Sequence, residues 1–388
     1  MPYTVKIRYL TKEANMTSRS SSFSSSTDSA SEVGPLAFLR PTCTFSGSNS
    51  PLNRTPNDTP DIDILINGIA RLLTPPLPLS SAASAAADTT RTVTILFPTS
   101  PRITELSNHD ANFYKQYLAH IESLAPTPRD FLERIQCRCD KAIEQPNISK
   151  CRYPDMLPSE TGLVTLQYTD DSTKTFINAN WIAGTIATQG PLKNTVDDFL
   201  ICLLEQQIPA VACLVAHKEP NRFNIEVEKT VPYWDPGLMP LNDADRLVQL
   251  TPIDEPKMII HLADETDQYV LSRRFRITFG GTAHEFEHFH YVGWPDYSIC
   301  HAPSLLALIK LMRQMDGGKR ACHCSAGIGR TGVFVTLMKL IDQYEETKQV
   351  PTIADVCTAV VEGRKARPGL VLTPDQLKLI CDTFILYL

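Results

Sequence analysis

The sequence predicts an α/β or α+β fold, a central twisted mixed β-sheet flanked by helices, with a disordered N-terminal segment in front of it. Three observations carry this. From about residue 126 to 388, segments of helical period alternate with short apolar strand-like runs and short loops, as stacked layers of helix and sheet require. Residues 11–61 are instead dominated by Ser, Thr, Pro and Asn, with too few large apolar side chains to offset the entropy of ordering. Finally, a buried strand over 319–323 runs into a glycine-bearing loop and a helix over 331–344.

Taken in order, residues 1–10 alternate polar and apolar side chains like a strand and lack the continuous apolar core of a secretory signal. Residues 61–73 place apolar side chains at helical spacing and are stopped by Pro75 and Pro76, as a short docking or surface helix. Residues 77–90 form a small-residue linker, 91–98 a strand, and 103–124 a helix suited to packing on a neighbouring core. Beyond 126, helices are expected over 128–144, 195–207, 302–315, 353–365 and 374–387. Strands are expected over 211–216, 257–262, 269–279 and 288–293. The division is a Ser/Thr-rich region over 1–60, an accessory region over 61–125 and a catalytic domain over 126–388. No internal repeat is visible.

Composition narrows the function. A net charge of −6 argues against nucleic acid or an anionic membrane as partner, and no apolar run approaches the roughly 20 residues needed to span a bilayer. Eleven cysteines at irregular spacing in 388 residues are not a disulfide scaffold, which points to a reducing compartment. Cys137 and Cys139 form a C-x-C with no second pair at zinc spacing. His284, His288 and His290 share strand parity, but the chemistry read below needs no metal, and no cofactor is expected.

The informative stretch is His323-Cys324-Ser325-Ala326-Gly327-Ile328-Gly329-Arg330-Thr331-Gly332. Glycines let successive backbone N–H groups turn inward, and the following helix adds its positive N-terminal end. Such a cradle suits a phosphate dianion, and its field favours the thiolate form of Cys324. Arg330 supplies a planar fork matched to two phosphate oxygens.

These residues resemble the signature of the cysteine-dependent protein tyrosine phosphatases: His-Cys, five residues, Arg, then Ser or Thr. Further segments resemble the same family in the same order. Lys150-Cys151-Arg152-Tyr153 with Asp155 is similar to its phosphotyrosine-recognition loop, Cys151 standing where Asn is usual. Residues 176–182 and 186–191 resemble two structural signatures. Lys229 with Tyr233-Trp234 resembles the segment that carries a lysine toward the acid loop, and Trp294-Pro295-Asp296 resembles that loop. Residues 364–377 resemble the glutamine loop, with Leu372 at the first glutamine position and Gln376 at the second.

The resemblance implies a tyrosine-phosphatase-like fold and a set of roles. Cys324 is the nucleophile, Arg330 with the amides of Ser325, Ala326, Gly327, Ile328 and Gly329 holds the phosphate, and Asp296 is general acid and then base. Thr331 stabilises the returning thiolate, His323 fixes the loop from behind, and Gln376 orients the water. Arg152, Tyr153 and Asp155 bind the substrate, the ring of Tyr153 making a pocket deep enough to favour phosphotyrosine over phosphoserine. Leu372 leaves two outcomes open: a slow second step, or Gln376 taking over. Arg364 and Gly369 are expected to border an accessory anionic pocket.

Cys322 lies about 7 Å from Cys324 along an extended strand, too far for easy bridging. By resemblance, Cys151 is the better-placed partner for a protective disulfide. The expected partners are phosphotyrosine-containing proteins, with a regulatory or secretion partner for the N-terminal region. Competing readings are a substrate-trapping module that binds phosphotyrosine without turnover, and a dual-specificity or lipid phosphatase. The expected location is the cytoplasm, the alternative being a bacterial effector secreted into a host cell.

Overall fold

The computed structural model describes residues 3–7, 91–95, 111–125, 139–144, 147–169, 174–221, 223–235, 248–261, 268–315 and 317–388. The Ser-rich segment 11–61, the helix expected over 61–73, the linker 77–90 and most of the helix expected over 128–144 lie outside them.

In chain order the elements are β1 (Tyr3–Ile7), β2 (Arg91–Ile95), α1 (Ala111–Leu124), the single turn α2 (Asp140–Ile143), β3 (Leu163–Thr165), β4 (Phe176–Ile182) and β5 (Thr185–Thr188). Then come α3 (Val196–Glu205), β6 (Ala210–Cys213), β7 (Lys218–Pro220), β8 (Glu226–Glu228), β9 (Gln249–Pro252), β10 (Lys257–His261), β11 (Tyr269–Phe279) and β12 (Thr282–Val292). The chain closes with α4 (Ala302–Arg313), β13 (Arg320–His323), α5 (Arg330–Thr347), α6 (Ile353–Ala366) and α7 (Pro374–Tyr387).

Nine strands form the main sheet in the order β10-β11-β12-β6-β13-β5-β4-β3, with β9 also on β11. The middle four, β12, β6, β13 and β5, run parallel, and the flanking pairs are antiparallel. Parallel strands are covered on both faces, so β6 (AVAC) and β13 (RACH) are buried at every position. In an open sheet of this kind the site opens beyond the carboxyl ends of the parallel strands. Here those four ends lead into Leu214, Cys324, Gln189 and the 293–300 loop. Two small antiparallel pairs, β1–β2 and β7–β8, stand outside the sheet.

Helix α5 is buried from Arg330 to Met338 and packs on α4, α6 and α7. Gly332 permits this: a Cβ there would lie 2.6 Å from the backbone nitrogen of Val371. Helix α1 buries Tyr114, Leu118 and Ile121, one helical stripe, against α6 and α7. Each such side chain contributes roughly 1.5–3 kcal/mol by leaving water.

Two differences from the sequence reading have physical causes. Strand β12 starts at Thr282, six residues before the expected 288, because its first half pairs with β11 outside the core and is polar. Strand β4 (FINANWI) buries Asn178 and Asn180 as well as its apolar residues, which breaks the period-2 signal. Both amide oxygens accept from the guanidinium of Arg367, almost 190 positions away.

Candidate active site

Beyond β13 the chain turns through 324–329 before entering α5. The carbonyls of this turn point outward and are taken by donors around it. Ser325 O accepts from Gly190 N at 2.8 Å, Ala326 O and Gly327 O from Arg367 at 3.0 and 2.9 Å, and Ile328 O from Val371 N at 3.0 Å. In a trans peptide the N–H lies opposite the C=O. The amides of Ala326, Gly327, Ile328 and Gly329 therefore face the inside of the turn, above the N-terminal end of α5. Gly327, at φ +74°, makes the turn possible, since a Cβ there would sit 2.3 Å from Thr188 O.

Cys324 stands at the base, 5% exposed. Behind it runs a hydrogen-bonded chain of neutral side chains. His323 Nδ1 donates to Cys324 O at 3.2 Å, Tyr233 Oη donates to His323 Nε2 at 2.8 Å, and His288 Nε2 donates to Tyr233 Oη at 3.1 Å. Burial pushes His323 down to about 4, so it is neutral at physiological pH, as these directions require. Thr331, fully buried, has its hydroxyl beside the Cys322 thiol.

Arg330 is 2% exposed and held by two carboxylates. Glu219 grips it in bidentate fashion at 2.7 and 2.6 Å, Leu214 O accepts at 3.0 Å, and Asp296 Oδ1 lies 3.0 Å from its Nη2. Burial opposes the guanidinium charge, but the Glu219 and Asp296 carboxylates more than offset it and raise its pKa. Asp296 also accepts from Lys229 Nζ at 2.5 Å. Burial would raise its pKa, yet Arg330 and Lys229 prevail and hold it below the usual carboxylate range.

The opposite wall is the recognition loop. Tyr153 and Ser325 join their hydroxyls at 2.9 Å, and Ser325 Oγ donates to Lys229 O, so Tyr153 donates to Ser325 and its ring is fixed beside the cradle. Asp155 is exposed, and Tyr297, 62% exposed, faces Tyr153 and Asp155 electrostatically from the acid loop. On the remaining side Gln376 is buried, with its Oε1 accepting from Leu372 N at 2.9 Å.

Comparison with known proteins agrees with this geometry. The family model for protein-tyrosine phosphatase matches residues 147–386. The chain belongs to the protein-tyrosine phosphatase family. It is 35% identical over 246 residues to the receptor-type tyrosine-protein phosphatase V of Rattus norvegicus, covering 59% of this chain and 13% of that protein. It is 29% identical over 248 residues to the human tyrosine-protein phosphatase non-receptor type 18, covering 61% of this chain and 50% of that protein. The crystal structure of the catalytic domain of human protein tyrosine phosphatase non-receptor type 18 shares the fold with a TM-score of 0.58 at 24% identity, covering 72% of this chain and 97% of that one. Thus the match spans half or less of the length of these two curated relatives.

Within this phosphatase-family chain the structure gathers Cys324, Arg330, Asp296, Tyr153, Gln376 and the loop residues 325–329 around one cradle. It does not bring the Arg152 guanidinium there. That group turns inward, donating to Gly190 O, Pro191 O and Glu228 O, while its amide is held by Gln189. The accessory anionic pocket expected at Arg364 is corrected: Arg364 is buried and spends its Nε and Nη2 on Leu370 O and Val371 O. Cys151 is buried, its thiol reaching Asn147 O at 3.7 Å and the Asn178 side chain, and burial raises its pKa. His284 and His290 each bond a backbone carbonyl, and among the described residues no cluster of metal-ligating groups occurs.

Glu219, Gln189 and Arg367 escaped the sequence reading. Glu219 sits in a charged hairpin, Lys218-Glu219-Pro220, that reads as solvated surface, and its partner lies 111 positions away. Arg367 was visible only as one of several cations in 364–367.

Proposed function

We propose that this protein hydrolyses phosphotyrosine in proteins through a phospho-cysteine intermediate, with a catalytic domain over 126–388 to which α1 docks. The observation that carries the reading is the convergence of Cys324, the carboxylate-braced Arg330 and Asp296 on one turn whose amides face inward. Phosphate oxygens bind the amides and Arg330, and Cys324 sulfur attacks phosphorus opposite the tyrosyl oxygen. The S–P bond forms, the P–O bond breaks, and Asp296 gives its proton to the departing phenolate. A bound phosphate occupies the face of Arg330 that Asp296 now uses, so substrate entry displaces the carboxylate toward the leaving oxygen and weakens the cationic field that keeps it ionised. Water then attacks phosphorus, its proton passes to Asp296, and Cys324 returns as thiolate.

Tyr153, fixed on Ser325, supports phosphotyrosine over phosphoserine, because an aromatic wall favours a long planar side chain. A structural neighbour has been solved with HER2 phosphopeptides, which supports the same substrate class. The substrate-trapping alternative keeps one specific support, Leu372. We place the protein in the cytoplasm, where the nine buried free thiols among the described residues stay reduced. The described residues contain no helix long and apolar enough to cross a membrane.

The test is turnover of an aryl phosphate in the presence of chelator. Cys324→Ser is expected to be inactive, and Asp296→Ala to lose about 10²–10⁴-fold in kcat. Phosphotyrosine peptides should be cleaved in strong preference to phosphoserine peptides and phosphoinositides. Turnover surviving in Cys324→Ser would remove the mechanism.

A further inference from the structure

A segment that moves a proton donor into place delivers it accurately only when the ends of that segment are fixed. Strand β12 leads into the acid loop at Tyr291, and His301 stands just before helix α4 on its far side. Gly293 opens the segment at φ +90°, a conformation that glycine adopts at little cost. One atom joins the two ends. Gln268, just before β11, accepts on its Oε1 both the Tyr291 hydroxyl and the His301 N–H, each at 2.8 Å. A backbone N–H only donates, so the atom between them is the amide oxygen, and the Tyr291 hydroxyl donates to it as well. Burial raises the Tyr291 pKa and keeps that proton in place. The His301 N–H precedes the first turn of α4, where no helical carbonyl serves it.

From Tyr291 the constraint runs into the loop. The Tyr291 ring packs on that of Trp294, their centroids 5.7 Å apart at 62°, and both side chains are buried. Trp294 Nε1 in turn donates to Ser298 O at 3.1 Å, spanning Pro295, Asp296 and Tyr297. Gln268 Oε1, Tyr291, Trp294 and the turn bearing Asp296 therefore form one contiguous path. This path matters most once substrate is bound. Lys229 and Arg330 hold Asp296 in the free protein, and an arriving phosphate takes over the Arg330 face. The position of Asp296 then depends on its backbone, and so on the ends of the segment. We propose that Gln268 is a positioning residue for the general acid, its one oxygen fixing both ends of 292–300 and thereby where Asp296 meets the leaving oxygen. The inference rests on the phosphatase reading above, and the experiment separates the two.

The test is the leaving-group dependence of kcat/KM, which reports only the steps up to cleavage of the P–O bond. The full-length chain and its variants are given a series of aryl phosphates running from 2,4-dinitrophenyl to phenyl phosphate. An acidic phenol departs without a donated proton, whereas phenol itself needs one. Gln268→Met keeps the length of the side chain and removes the oxygen. It is expected to lose about tenfold on phenyl phosphate and less than about twofold on 2,4-dinitrophenyl phosphate, steepening the dependence. Gln268→Glu retains an oxygen at that place and should restore the parent slope. Tyr291→Phe keeps the packed ring and cuts one arm of the tie, so it should steepen the slope in the same direction, and it decides should the Met variant not fold. An equal loss along the whole series, an unchanged rate on phenyl phosphate, or a Glu variant as steep as the Met variant overturns the role of Gln268 and leaves the phosphatase intact. A parent protein that cleaves none of the series removes both.

Discussion

The cradle around Cys324 and the loop that carries Asp296 face each other across one site, yet they are built differently. Every outward carbonyl from Ser325 to Ile328 has a donor, Arg367 alone supplying two of them, and His323 is anchored through Tyr233 to His288. The acid loop has far fewer ties. Trp294 Nε1 donates to Ser298 O, Asp296 rests on Lys229 and Arg330, and Tyr297 sits exposed at φ +55°, a left-handed conformation costly for a bulky side chain. A nucleophile and an anion site gain from being fixed before substrate arrives, because no reorganisation remains for the reaction step. An acid that must cover the leaving oxygen gains from being able to move. Its present partners are charges, which a bound phosphate can replace.

The sharpest way to break this contrast is at Glu219. Glu219→Gln leaves the shape but removes the charge that fixes Arg330, exposing a buried cation to an imperfect partner. The expected loss is on the order of 10²-fold in kcat/KM, together with a fall in stability of about 3–5 kcal/mol, read by steady-state kinetics and denaturant unfolding. An unchanged kcat/KM would show that the floor needs no bracing from that side.

A second buried carboxylate supplies the control. Glu287, on the strand leading to the acid loop, accepts from Ser272 and faces Arg274, Lys257 and Asp254. Burial first, then Asp254, push it up to about 7, against an ordinary value of 4.5. The folded state thus holds a proton that the unfolded chain has released. The stability this contributes is complete below about pH 4.5 and is lost as pH rises through 7. Glu287→Gln should match the parent near pH 4 and exceed it by up to about 3 kcal/mol at pH 8, with kcat unchanged. A parallel pH dependence in both proteins would contradict the burial argument.

The smallest expected effect is on the acid loop itself. Tyr297→Asn, which tolerates the left-handed region, should gain at most about 1 kcal/mol of stability and alter kcat by only a few-fold. A collapse in activity would mean that the ring of Tyr297 binds substrate directly.

What the sequence made legible follows the same division. Cys324 and Arg330 are neighbours in sequence, and their spacing carries its own chemistry; Asp296 stands in a tripeptide of equally local character. Helices α4, α6 and α7 announced themselves by periodicity. The bracing did not, because it is long-range and polar: Glu219 to Arg330, Gln189 to Arg152, Arg367 to Asn178 and Asn180. Arg152 and Arg364 looked like ligand-facing cations, since composition records a charge and not its direction. In the fold both turn inward: Arg152 onto backbone carbonyls and the Glu228 carboxylate, Arg364 onto the carbonyls of Leu370 and Val371. Leu372 was visible as a departure, whereas the bond from its N–H to Gln376 Oε1 at 2.9 Å was not.

The central claim is that phosphorus passes through the sulfur of Cys324, and it can be tested directly. Mixing the protein rapidly with aryl phosphate, quenching in acid and mapping phosphorylated peptides by mass spectrometry should place one phosphoryl group on Cys324, with a burst of nitrophenol matching its amount. Steady turnover with phosphate found on no residue, or on a residue other than Cys324, would contradict it.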